Sequence, residues 1–327
     1  MNMIRSGLPL VAVALGLLSV AAPASAQDKY PDKPVKVMVA LPAGGGVDMI
    51  ARLVGQKMAT ATGQPYIVDN RAGASGRIGL PVVAKSPADG YMLMVSPASF
   101  LTTNKSIFKT LPYDPEADFA PITKLANQSM VLVVNDKAKY PTAAAVLAAA
   151  KAKPGAVTYA SSGDGSPQHL AALMFESRMK VKMTHIPYKG GALAINDLMG
   201  GNVDILFAPL PEALAYIKSG KLTGLAIMGD KRSPLIADVP TMAEGGIKDM
   251  VMVTWIGILA PAATPRPLID QINKQVHVIL EDPAVRKQLA DAGMDVAPTT
   301  PEQFKTVIAQ EIKLHAELVK ASGLEPQ

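Results

Sequence analysis

The stretch LPAGGGVDMIARL, residues 41–53, follows the apolar run VKVMVA at 35–40 and leads into a segment with helical spacing of its apolar residues. That order reads as a strand over 35–40, a glycine turn and a helix over 47–60. Glycines tolerate positive φ and let the backbone approach a ligand. The helix start behind them offers unpaired N–H groups and a positive dipole end to an anion. A plain tight turn has the same composition, so this segment alone leaves both readings open. Asp48, in the first helical turn, either caps those donors or competes for them. The segment is not a dinucleotide or phosphate-loop fingerprint, because G-x-G-x-x-G is absent and no Lys-Ser/Thr follows the glycines.

Outward from this turn the alternation continues. Strands are expected over 65–69 and 91–96 with a helix over 78–85 between them. A second series begins near Met130: strands over 131–134, 157–160, 183–186, 203–207 and 223–228, separated by helices over 142–152, 167–177, 192–199 and 211–219. The tail from Val251 adds a strand over 254–260 and amphipathic helices over 267–281 and 301–321. Nearly all-apolar strands alternating with helices predict an α/β fold with mainly parallel strands covered on both faces. With 327 residues, 49% of them hydrophobic, the chain is long enough for two domains. The block 129–250 reads as the second.

The first 26 residues read as a secretory leader: Arg5 supplies the positive start, residues 8–22 a short apolar core, and Ala24-Ser25-Ala26 a small-x-small cleavage site. The apolar run falls short of the ~20 residues a spanning helix needs. The chain has no cysteine, so neither disulfides nor a lipoprotein anchor is available. A soluble product in the periplasm is expected. The net charge of +5 comes from scattered lysines and arginines with only 5% aromatic residues, which argues against a nucleic-acid partner.

The second block repeats the opening motif. In 157–169 a strand leads through Ser161-Ser162-Gly163-Asp164-Gly165-Ser166 into a helix, with Ser166 placed as N-cap and Pro167 at the first helical position. Two such turns, one per domain, suit a cleft that closes on an anion. The four histidines show no metal-ligand spacing, and no G-x-S-x-G elbow is present, although Ser161 or Ser162 could still meet a base in space. His169 is the only histidine near the candidate site, either bonded to its own turn or touching ligand. Trp255 belongs to core or cleft.

The ordered set Tyr30-Pro31, Pro42-Ala43-Gly44-Gly45-Gly46-x-Asp48, Asn70-Arg71-x-Gly73-Ala74-x-Gly76, Asp89-Gly90-Tyr91, Leu111-Pro112-Tyr113-Asp114, Ser162-Gly163-x-Gly165-Ser166-x-x-His169, Pro187-Tyr188-Lys189-Gly190, Gly200-Gly201-x-Val203-Asp204 and Asp238-Val239-Pro240-Thr241 resembles the Bug (TctC-like) family, the solute receptors of tripartite tricarboxylate transporters. The resemblance runs from about residue 29 to 324. It implies a two-lobed, type II-like periplasmic binding protein with the ligand cleft between lobes: leader 1–26, first lobe 27–128, second lobe 129–250, and 251–327 returning to the first. It also implies a ligand carboxylate held between the two glycine turns, partly through waters, with no catalysis, no cofactor and no metal.

The candidate ligand-binding residues are Pro42, Ala43, Gly44, Gly45, Gly46, Asp48, Arg77, Ser96, Ser99, Ser162, Gly163, Gly165, Ser166, His169 and Pro209. Arg77 departs from the family's usual neutral residue, and reads either as a fork for a second carboxylate or as a solvated side chain. Ala208-Pro209 replaces a polar pair and leans the pocket away from amino groups toward an apolar or aromatic body. The expected partners are a small organic carboxylate and a membrane permease, the protein itself being a monomer. An exported sensory or adaptor module and a serine hydrolase are the alternative functions.

Overall fold

The computed structural model describes Met1, residues 30–135 and residues 139–326. Apart from Met1, the expected leader over 1–26 lies outside the described residues. Among the described residues no helix is long and apolar enough to cross a membrane.

Chain order begins with β1 (Val35–Val39), buried but for Lys36, and α1 (Gly46–Thr62), whose Ile50, Leu53, Val54 and Met58 form its inward stripe. Gly63, left-handed at φ 76°, ends that helix. Then come β2 (Tyr66–Asn70), α2 (Leu80–Ala84), β3 (Met92–Pro97) and two short helices, α3 (Ala98–Thr102) and α4 (Asn104–Ile107). After β4 (Phe119–Val134), the second series is α5 (Ala143–Ala152), β5 (Thr158–Ser161), α6 (Pro167–Met179), β6 (Thr184–Pro187), α7 (Gly191–Met199), β7 (Ile205–Pro209), α8 (Leu210–Lys218) and β8 (Thr223–Ile227). The tail supplies β9 (Val253–Pro261), α9 (Arg266–Glu281), α10 (Pro283–Asp291), β10 (Asp295–Val296) and α11 (Pro301–Ser322), which opens with a capping box between Thr300 and Gln303.

The strands follow the order β2-β1-β3-β9-β4-β7-β5-β6, with β8 and β10 also on β4. Parallel pairing is confined to the outer parts, β2-β1-β3 and β7-β5-β6. In the middle, β9 is antiparallel to β3 and β4, and β4 is antiparallel to β7 and β8. The expectation of mainly parallel strands therefore fails at the centre, because β4 and β9 are the strands that carry the chain between lobes. Only residues 131–134 of β4 were legible. Its first part carries Pro121, Lys124, Asn127 and Gln128, and two register shifts against β9 break the alternation that would have marked it.

Phe119–Ser129 pair with β9 and Met130–Val134 with β7 and β8, so one continuous strand passes from one lobe to the other. Beside that crossing Met228 N–H donates to Met130 O at 2.7 Å, and Met252 N–H to Met228 O at 2.9 Å. α11 also touches both lobes: Phe304 packs with Trp255, Val319 with Leu173, and Lys182 Nζ donates to Ser322 O at 2.8 Å.

Each sheet is covered on both faces. Met130, Leu132 and Val134 face a core shared with α5 and α6, while Val131 and Val133 face one shared with α7 and α8, the period-two alternation of a strand. Trp255 belongs to the core, edge-on to Phe304 at 4.8 Å between ring centres.

Candidate functional site

Between the lobes lies a cavity of about 480 Å³, at the ends of β1, β5 and β7 toward which their chains run. That edge is where open α/β sheets bind ligands. Residues from the first turns or N-caps of five helices line it: Gly45 and Gly46 of α1, Pro97 of α3, Pro167 and Gln168 of α6, Gly191 of α7, and Pro211 and Glu212 of α8. The first N–H groups of a helix have no intrahelical acceptor; Pro97, Pro167 and Pro211 bring none, so the backbone donors among these residues are those of Gly45, Gly46, Gln168, Gly191 and Glu212.

The first glycine turn is built as the sequence suggests. Gly44 is left-handed at φ 89°, Gly45 is a bare N-cap, and Pro42, Ala43 and Gly44–Gly46 all face the cavity. Asp48 lines the cavity as well, and its carboxylate closes the turn. It accepts from Gly44 N–H, Arg52 Nε and Asn70 Nδ2, each at 2.9 Å. Burial pushes this carboxyl up, but the three hydrogen bonds outweigh that and hold it below the usual range. Asp48 thus shapes the turn and spends its charge on Arg52.

The second turn is arranged differently from its sequence reading. Gly163 N–H is taken by Ser161 Oγ at 3.1 Å and Gly165 N–H by His169 Nδ1 at 3.1 Å. Ser166 caps His169 N–H at 3.3 Å. Of this turn only Ser162 reaches the cavity wall, where its Oγ donates to Gln168 Oε1 at 2.8 Å. Gly163, Gly165, Ser166 and His169 do not line this cavity: Gly165 packs on Asn104, and the Asp164 carbonyl accepts from Ser75 Oγ of the first lobe.

Pro209 lines the cavity, whereas Ala208 is buried behind it. Arg77, Ser96 and Ser99 do not line it. The Arg77 guanidinium lies 3.7 Å over the Phe108 ring, with Nε on Ala74 O. Ser96 Oγ is buried against Pro97 O, and Ser99 lines a separate small groove beside α11. Pro97, Phe100, Gln128, Gln168, Gly191, Glu212 and Tyr216 are wall residues that the sequence reading missed. Gln128 was hidden in the unread part of β4. Gln168 and Glu212 each sit in the first turn after a strand-to-helix junction, which was the available signal.

Contact brings Ser161, His185 and Asp164 into a triad-like row, with Ser161 Oγ to His185 Nε2 at 2.6 Å and His185 Nδ1 to Asp164 at 3.5 Å. Ser161 is fully buried and is not among the residues lining the cavity between the lobes. His169 joins Asp164 and His185 in a cluster whose potential metal-binding atoms lie within 4.8 Å of one another. Its two imidazoles are stacked 4.1 Å apart and nearly parallel, and His169 Nδ1 and His185 Nε2 are already engaged, so their lone pairs do not converge on one point.

Burial, helped by the neighbouring His185, pushes His169 down to about 3. Its unfolded value of 6.5 is higher, so the unfolded chain binds the extra proton. The stability this ring contributes is complete above about pH 6.5 and falls as pH drops toward 3, by an amount on the order of a few kcal/mol. Urea unfolding at pH 7 and pH 4 is expected to show this loss, and a smaller one in His169→Gln. Equal losses in both proteins would place the acid sensitivity elsewhere.

The profile of the tripartite tricarboxylate transporter family receptor, TctC, matches residues 50–324. The chain belongs to this family. Protein BugT of Bordetella pertussis is 37% identical over 99% of both chains. Among solved structures, a Rhodopseudomonas palustris protein with adipate is 30% identical with a TM-score of 0.87, covering 91% of this chain and all of that one. The periplasmic binding protein BugD is 32% identical with a TM-score of 0.84, covering 91% of this chain and all of that one. Like them, this TctC receptor has the two-lobed periplasmic binding protein fold and acts as a solute receptor of a transporter. The family and these neighbours are binding proteins.

Proposed function

We propose that the cavity closes around a small organic carboxylate and that the closed form delivers it to a tripartite-type permease. The observation that carries this reading is the turn Gly44–Gly46 facing a cavity lined by five helix starts, with, among the described residues, no side chain filling the Gly45 N-cap and only the Gly44 N–H taken, by Asp48. Two relatives solved with adipate and with malate support the carboxylate class. The carboxylate sits on the Pro42–Gly46 turn, with Ser162 and Gln168 facing it from the second lobe. Pro209, Phe100 and Tyr216 wall its body. Arg77 and the second turn's glycines hold the frame and leave the ligand alone. The mature protein is a periplasmic monomer released from its leader near Ala26, and it performs no catalysis.

A thermal-shift screen against a carboxylate library tests the class, since a ligand at 100 times Kd stabilises the folded state by about 2.7 kcal/mol. No shift with any carboxylate would overturn it. Closure is tested separately. Ligand stabilises the state it binds better, and the β4 crossing gives the lobes a shared axis. Small-angle scattering with a saturating hit from the screen is expected to give a smaller radius of gyration than the free protein. An unchanged radius would mean a rigid pocket.

A further inference from the structure

The cavity wall has an acidic pole. Among the described lining residues there is no lysine, arginine or histidine, and the carboxylates are Asp48 and Glu212. Asp48 is already committed to Arg52. Glu212, at the start of α8, has only the Gln168 side-chain amide, whose Nε2 donates to its Oε2 at 3.0 Å. Its placement is specific: the carboxyl lies against the α-carbon of Gly191, where any side chain would displace it. Gln128 is buried beside Gly46 of the glycine turn, and its Oε1 has no hydrogen-bond partner among the described residues. A wall carboxyl with no cation beside it suits an N–H-bearing cation supplied by the ligand.

We propose that Glu212 is a specificity-determining residue that selects carboxylates carrying a protonated amino group, with the carboxylate on the glycine turn and the ammonium on Glu212. The assignment rests on the carboxylate reading above and narrows it. It also reverses the expectation, drawn from Ala208-Pro209, of a pocket turned away from amino groups: the polar function missing from the end of β7 is supplied three residues later on α8. A second carboxylate in that place would meet Glu212 with like charge.

Burial pushes Glu212 up to about 7, against the hydrogen bond from Gln168. The other titratable lining groups are Asp48, held ionised, and the phenol of Tyr216; Lys218 flanks the outer side of Gly44–Gly46 in a separate groove. An ammonium ligand favours ionised Glu212, so its affinity rises between pH 6 and pH 8.

The test is calorimetry of the purified protein with three six-carbon probes: hexanoate, adipate and 6-aminohexanoate. The expected result is that 6-aminohexanoate binds at least ten-fold tighter than hexanoate at pH 8, that this ratio shrinks at pH 6, and that Glu212→Gln collapses it. If adipate binds tightest and gains affinity as pH falls, Glu212 acts as a protonated donor to a second carboxylate and the proposal is overturned. Hexanoate binding with no preference for 6-aminohexanoate overturns the role of Glu212 alone; if none of the three binds, the same comparison made with a hit from the carboxylate screen and its amino-bearing counterpart decides it, and a screen without any hit overturns the carboxylate reading beneath it.

Discussion

Gly44→Val is expected to abolish carboxylate binding, with an affinity loss of at least a hundred-fold, while the protein stays folded. Gly44 sits at φ 89°, and a Cβ built there meets no atom within 4 Å, so valine meets no neighbour in the fold and instead extends from the cavity wall where the ligand docks. Left-handed φ costs a β-branched residue about 1–2 kcal/mol, which a two-lobed protein of this size tolerates. Gly201 is the control: it is left-handed at φ 75°, has equally open surroundings, and lies away from the cavity. Gly201→Val carries the same strain and is expected to keep wild-type affinity for a carboxylate taken from the screen. Calorimetry on both variants decides the matter. Wild-type affinity in Gly44→Val would remove the first turn from the site, and equal losses in both would attribute the effect to strain.

The position of the first turn was legible, because three glycines between an apolar run and a helix mark a strand-to-helix junction; that it faces a cavity is a fact of the fold. The second turn misled for a physical reason. Its glycines are left-handed like Gly44, and like Gly44 their N–H groups are taken by side chains, here Ser161 and His169, but they stand away from the cavity wall. Glu212 and Gln128 were invisible for another reason. A carboxyl in the first turn of a helix ordinarily reads as a dipole cap, and Gln128 lay in a strand whose alternation is broken by bulges. Arg77 shows the converse: a charge beside a glycine turn left a ligand fork and a solvated side chain both open, and the structure gives it a third place, over the Phe108 face. Strand and helix positions on the parallel flanks were readable from their apolar runs. The antiparallel crossing was not, since nothing local marks a strand as belonging to two sheets.

Trp255→Ala is expected to be the most destabilising single substitution considered, at about 3–5 kcal/mol, the cost of emptying a large core site. The indole is 2% exposed, packs edge-on against Phe304 and donates Nε1–H to Glu311 Oε2 at 2.8 Å. Both β9 and α11 depend on it, and these are elements that join the lobes. It is the only tryptophan, so unfolding is followed by circular dichroism in urea. Trp255→Phe separates packing from the hydrogen bond, because it refills most of the volume but leaves Glu311 without its donor. Burial already pushes Glu311 up to about 7, against that hydrogen bond and the charge of Lys124. With a folded value above the unfolded 4.5, its contribution to stability is complete below about pH 4.5 and is lost as pH rises through 7. Removing the donor raises the carboxyl further, so the deficit of Trp255→Phe relative to wild type is expected to be larger at pH 8 than at pH 5. An equal deficit at both would mean that the indole serves Glu311 by shape alone, and that the ionised carboxyl at the lobe junction draws its stabilisation from Lys124.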